Sequence, residues 1–149
     1  MQRIDDIDKA ILALLKKNAK LSNKEIAAEI GLSITPVFER IKRMERNGVI
    51  KGYSIRVDKS QIERGLRVLC QVSLKEHKDN QIQLFEEEVR HLSEVTECLH
   101  LAGNIDYLLS VEVKDIEAYE YFVKQKLAKL SNISNVQSSF VLGTLIERD

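Results

Sequence analysis

Arg40, Lys42, Arg43 and Arg46 crowd into a seven-residue stretch of ITPVFERIKRMERNG, interleaved with Val37, Ile41 and Met44. Cations at this spacing can meet the phosphates of a nucleic acid, and an arginine can pair with a guanine edge in a groove. The surroundings have the same sign. Residues 40–64 hold eight basic side chains (Arg40, Lys42, Arg43, Arg46, Lys51, Arg56, Lys59, Arg64) against three acidic ones. The formal net charge of the chain is zero, but residues 1–65 carry 14 Lys and Arg against 9 Asp and Glu, and residues 66–149 carry the reverse. A basic front and an acidic rear imply a division of labour, with phosphates met at the front. A charged helix face is also what any solvated hairpin presents, so the cations alone decide nothing.

The elements that must position these cations are legible on either side. Ser22 and Glu25 form a capping box, worth about 1 kcal/mol to a helix start. Ile26, Ala27 and Ile30 share one face, and Gly31 stands where a helix end requires positive φ. Leu32 fills the corner, Ser33 or Thr35 caps the next helix, and Pro36 is tolerated only in its first turn. Val37, Ile41 and Met44 form that helix's inner face. Phe38, Glu39, Arg40, Lys42, Arg43 and Arg46 lie outside or at its flanks, and Gly48 ends it. Two helices across a tight turn, the second one basic, match the helix-turn-helix logic of major-groove reading. Glu39 is expected to brace Arg43 by i,i+4 pairing, ahead of accepting from a cytosine amino group. Val49, Ile50, Gly52, Tyr53, Ile55 and Val57 suggest a hairpin wing, against which Phe38 would pack. Upstream, Ile4, Ile7, Ile11, Leu14 and Leu15 repeat at helical steps with Asp5 or Asp6 as N-cap, completing a three-helix core.

Past Val57 the segment DKSQIERG loses periodicity, which places a joint at residues 58–65. The rear half then alternates between two periods. Leu66 to Leu74 step by two, and Ile82, Phe85, Val89 and Leu92 fall at helical spacing between Asp79 and Ser93. Residues 95–102 and 106–113 read as strands around a short turn. Ile116, Tyr119, Val123, Leu127 and Leu130 mark a helix over about 115–130, and a last strand covers about 135–146. The order is βαββαβ, the ferredoxin-like plan, so the fold class is α+β: a winged helix-turn-helix at 1–57, a hinge at 58–65 and a ferredoxin-like domain at 66–149. That plan leaves one sheet face bare, and apolar residues on both faces make sheet-to-sheet dimerisation the economical expectation.

Composition excludes other classes. A 44% apolar content supports a packed core. No apolar run approaches the ~20 residues that span a bilayer, and MQRIDDIDK lacks a signal-peptide core, so a cytoplasmic location and no membrane partner are expected. Cys70 and Cys98 have no zinc-like spacing and are expected as buried, reduced thiols; no metal and no cofactor is expected. His77, His91 and His100 are scattered, and no catalytic cluster or phosphate-binding glycine loop occurs, so an enzyme is not expected.

The strings LSITPVFERIKRMERNGVIKGY and LAGNIDYLLSV, at their separation, closely resemble the Lrp/AsnC (feast/famine) family of transcriptional regulators of bacteria and archaea. The resemblance runs nearly end to end. It implies DNA contact through Ser33, Thr35, Pro36, Glu39, Arg40, Lys42, Arg43, Arg46 and Lys51. It also implies homodimers, commonly four in a ring as an octamer, and a response to a small amino-acid effector bound between dimers beside Ala102, Gly103, Asn104, Ile105 and Asp106, with Gln137 and Ser139 nearby. Asp106 can pair with the ammonium, and backbone N–H groups around Gly103 can take the carboxylate. GNID is equally a plain set of turn residues. An architectural DNA-binding protein without effector response shares every feature of the front half and stays open as the alternative.

Overall fold

Of the two expected N-caps, Asp5 and not Asp6 starts the first helix. In the computed structural model, which describes residues 4–146, α1 (Asp6–Lys17) opens with a reciprocal capping box: the Asp8 N–H donates to the Asp5 carboxylate and the Asp5 N–H to that of Asp8. Ser22 and Glu25 make the same box at α2 (Asn23–Ile30), whose end is Gly31 at φ 71°. The third helix, α3, runs Ile34–Arg46. Ile11, Ile26, Ala27, Val37, Ile41 and Met44 are buried between the three, which is the apolar set that the helical spacing selects. The chain divides into two compact units, one up to Arg56 and one from Val57 on.

Among the described residues the expected wing hairpin is not formed. Val49 and Ile50 donate their N–H groups to the Met44 carbonyl, closing α3 behind Gly48 at φ 69°, and residues 51–58 carry no strand pairing. Tyr53, Ile55 and Val57 are exposed, and a two-stranded ribbon that buries no face is not stable by itself.

The second unit begins with the expected joint, which is itself ordered. Asp58 caps a 3-10 turn at Lys59–Ile62, Lys59 pairs with the nearly buried Glu112, and Arg64 donates to the Ser93 carbonyl at 3.2 Å. There follow β1 (Leu66–Leu74), α4 (Asp79–Arg90), β2 (Val95–His100), β3 (Tyr107–Val113), α5 (Ile116–Gln125) and β4 (Ile133–Phe140). The sheet is antiparallel in the order β2-β3-β1-β4, the ferredoxin-like arrangement. Period-two alternation puts Val68, Cys70, Val72 and Leu74 of β1 beside Leu109, Val111 and Val113 of β3, under Phe85 and Val89 of α4 and Tyr119 and Phe122 of α5. Each such fully buried side chain contributes roughly 1.5–3 kcal/mol. The opposite face is left uncovered by α4 and α5. It presents Leu69, Gln71, Leu108, Leu99, Gln137 and Ser139, with Ser110 sheltered under Arg67, whose Nε donates to the hydroxyl at 2.9 Å.

Several boundaries move. α4 ends at Arg90, and the helix expected over 115–130 breaks at Lys126 into α5 and a 3-10 turn at Leu127–Lys129. β4 starts two residues early, at Ile133, because Asn132 takes φ 63° and clamps the strand: its side chain accepts from the Glu76 N–H and donates to the Glu76 carbonyl. Asparagine tolerates that left-handed backbone better than most side chains. β4 also stops at Phe140, beyond which Leu142 and Leu145 are fully exposed. Cys70 is buried, but Cys98 is exposed, because β2 is an edge strand with only β3 beside it.

Candidate nucleic-acid interface and ligand loop

The turn between α2 and α3 is set by Gly31 and by Leu32, whose N–H reaches back to the Ala27 carbonyl at 2.9 Å. Ser33 is the N-cap residue of α3, but its hydroxyl makes no capping bond. Ser33 and Thr35 are therefore exposed hydroxyls at a helix start, where the macrodipole and unpaired N–H groups favour an anion. Pro36 lies in the first turn, where its missing N–H costs nothing. Phe38, Glu39, Lys42 and Arg46 point to solvent. Phe38 is 46% exposed, and its ring has the Lys42 ammonium 5.9 Å from its centroid in place of the expected packing on a wing. Lys42 also pairs with Glu45 at 2.9 Å, and the Tyr53 hydroxyl donates to the other Glu45 oxygen at 2.9 Å; together they hold the Glu45 carboxyl below its ordinary range. Arg46 and Lys51 make no ion pair with a described residue.

Arg40 and Arg43 take a different position from the rest of the cationic set. Asp8, fully buried, accepts from Arg40 Nη1 at 2.8 Å and from Arg43 Nη2 at 2.7 and 2.6 Å. Arg40 also reaches Asp5 at 2.6 Å, which holds the Asp5 carboxyl below its ordinary range, with help from the Asp8 N–H. This corrects the pairing expected for Glu39: Arg43 turns inward to a sealed carboxylate, where charge-assisted bonds are strong, and Glu39 is left on the open face. Asp8 was legible as a polar interruption of a buried stripe, since it falls four residues after Ile4 and three before Ile11.

In the second unit, residues 102–106 form the β2–β3 connection, with Ala102, Gly103 and Asn104 exposed and Ile105 and Asp106 half-buried. A Cβ added at Gly103 would meet nothing within 4 Å, so the approach to this backbone is open. Asp106 accepts from the Leu74 N–H at 2.7 Å on one oxygen and meets His77 Nε2 at 2.8 Å on the other. The Leu74 N–H, and then His77, hold its carboxyl below the usual range, so it is ionised at neutral pH. His77 was not singled out from the sequence, because its partner comes from another element. Gln137 and Ser139 sit on the uncovered sheet face, opposite Gln71 and Leu69 of β1. They stand apart from the connection, which follows β2 at the sheet's edge, and the chain alone does not gather the two groups. A separate cleft of about 340 Å³ lies on the helix side of β2, lined by Glu86, Cys98, His100 and Tyr107 among others and by none of these residues.

Two family models cover almost the whole chain: a winged helix-turn-helix DNA-binding domain over residues 4–51 and the Lrp/AsnC ligand binding domain over residues 67–149. The chain belongs to the Lrp/AsnC family. The Lrp/AsnC relatives are regulators, and the family is not one of enzymes. The chain is 32% identical over 148 residues to the Bkd operon transcriptional regulator of Pseudomonas aeruginosa, covering 99% of this chain and 97% of that one. It is 32% identical to the leucine-responsive regulatory protein of Escherichia coli K12 over 93% of this chain and 85% of that one. Among solved structures, a transcriptional regulator from Neisseria meningitidis in complex with L-Met superposes with a TM-score of 0.92 at 31% identity, covering 97% and 94% of the two chains. E. coli AsnC superposes at 0.91 with 25% identity over 99% and 98%. In this Lrp/AsnC regulator, then, α2 and α3 lie within the DNA-binding match and the 102–106 connection within the ligand-binding match. Among the described residues no helix is long and apolar enough to cross a membrane.

Proposed function

We propose that this protein is a sequence-specific DNA-binding transcriptional regulator, acting in the cytoplasm, whose oligomer responds to a small amino acid. The observation that carries the DNA half is the outer face of α3, where Phe38, Glu39, Lys42 and Arg46 are exposed beyond an open helix start at Ser33 and Thr35. Such a helix fits a major groove, its first residues on base edges and its cations on phosphates. Lys51 adds a positioning charge. Arg40 and Arg43 contribute through the donors that Asp8 leaves unused.

The effector half rests on the connection at 102–106. Asp106 is ionised and partly exposed, in the same connection as an open glycine. Each carboxylate oxygen has a second lone pair, so an ammonium can share Asp106 with His77 or displace it. The L-Met complex of the Neisseria relative supports an amino acid as the ligand class. Gln137 and Ser139 complete the site when a second copy covers the uncovered sheet face, which is why we assign a homodimer, assembling to an octamer of four dimers, as the working form.

Two measurements test this reading. Selection from a random duplex library should enrich one operator motif, with footprints confined to it; uniform coating of DNA would favour the architectural alternative. A thermal-shift screen against the twenty amino acids should give one or a few hits. A ligand at a hundredfold its Kd adds about 2.7 kcal/mol, and a flat screen would remove the effector from the proposal.

A further inference from the structure

Asp8 is the fully buried carboxylate of the helical unit among the described residues, and what it holds is the flank of the helix assigned to DNA. Arg40 and Arg43 are three residues apart on α3, so their side chains leave the same flank one turn apart. Both converge on Asp8, and the rest of the ring is closed by Asp5, which binds Arg40 and the Asp8 N–H while its own N–H meets Asp8 at 3.2 Å. Two guanidiniums face two carboxylates. The cluster therefore adds little net charge to the recognition surface, and a neutralised pair contributes little to counterion release.

A guanidinium has five N–H donors in a fixed plane, and these contacts engage Nη1 of Arg40 and Nη2 of Arg43. Each side chain remains about one-quarter exposed, and both line the shallow depression on the outer surface of α3 together with Pro36, Phe38, Lys42 and Arg46. Each arginine thus reaches from a buried anchor to the surface. A free arginine on a helix can swing to whichever phosphate is nearest; one tethered by two short bonds cannot, and loses little further side-chain entropy on binding.

We propose that Asp8 is a positioning residue for DNA reading: it fixes the outward donors of Arg40 and Arg43 along one flank of α3, so that they supply discrimination between sequences and not bulk affinity. This rests on the reading of α3 as the DNA-contacting helix.

The test compares wild type and Asp8→Asn, as full chains, on the duplex enriched by wild type from a random library and on an unselected duplex, across a salt series. Asp8→Asn keeps the shape and removes the charge. The ratio of selected to unselected affinity should fall by about tenfold or more, while unselected affinity holds or rises and its log–log salt slope steepens by about one as a cation is released. A purely structural role would lower both affinities together and leave the ratio intact, which overturns the proposal. If Asp8→Asn does not fold by circular dichroism, Arg43→Lys decides: it keeps the charge but loses the fork, so the ratio should drop with an unchanged slope, and an unchanged ratio overturns the proposal. Should wild type enrich no motif, the DNA reading itself fails; a motif with an undisturbed ratio defeats only the role of Asp8.

Discussion

Asp106 shows how one side chain can serve both the fold and a ligand. One oxygen caps the end of β1 through the Leu74 N–H, and the other faces His77 and solvent. Substituting Asp106 by Ala should cost the second unit about 1–3 kcal/mol, the usual penalty for a charged hydrogen bond lost from a partly buried donor. Asp106→Asn keeps an acceptor for Leu74 but no charge, so its melting temperature should stay nearer wild type while its amino-acid thermal shift disappears. If Asn retained the full ligand shift, the ammonium pairing would be wrong. The acid response follows from the same residues. The carboxyls of Asp5, Glu25 and Asp106 lie below their ordinary values in the folded chain, through Arg40, Ser22 and Leu74 respectively. Their stabilisation is present above the unfolded values near ~4 and is lost as pH falls through the folded ones. Melting temperature should therefore decline below about pH 4, and less steeply in Asp106→Asn.

At the scale of elements, the turn before α3 depends on Gly31 for its left-handed backbone alone, since nothing lies within 4 Å of a Cβ placed there. Gly31→Ala should destabilise the helical unit by about 1–2 kcal/mol through conformation, read as a lower midpoint in urea with an unchanged slope. On α3 itself, Arg46 has no described anionic partner, unlike Lys42, Arg40 and Arg43. Arg46→Ala should therefore lower operator affinity and reduce the log–log salt slope by about one; the same slope as wild type would place Arg46 off the phosphates. The helices and their caps were readable because a capping box, a left-handed glycine and an apolar stripe are local signals spanning three to eight residues. The hairpin expected at 49–57 stays unpaired among the described residues for the complementary reason. Alternation in Tyr53, Ile55 and Val57 signals a strand, but a strand needs a partner to pair with, and no described part of the chain pairs with these residues.

For the whole molecule, the uncovered sheet face carries Leu99 of β2 directly opposite Leu108 of β3, with Leu69 of β1 diagonal to Leu108. An apolar face of this kind on a regulator is where a second copy would pack. Leu108→Asp should convert an oligomer into a smaller species in light scattering, with the far-UV spectrum retained, because the side chain points away from the folded core. A wild-type monomer at micromolar concentration would overturn the assembly. The amino-acid sequence by itself determined the three helices, the βαββαβ order and the membership implied by its two motifs, because hydrophobic period and turn chemistry are written locally. Which sheet face stays bare was decided by packing, since the strands are apolar on both faces. Tertiary structure decided which cations remain available. Asp8 with Arg40 and Arg43, and Asp106 with His77, join residues about thirty positions apart, and spacing does not name such partners: Asp8 interrupts an apolar stripe, but what it pairs with is fixed only once packing brings the cations within reach.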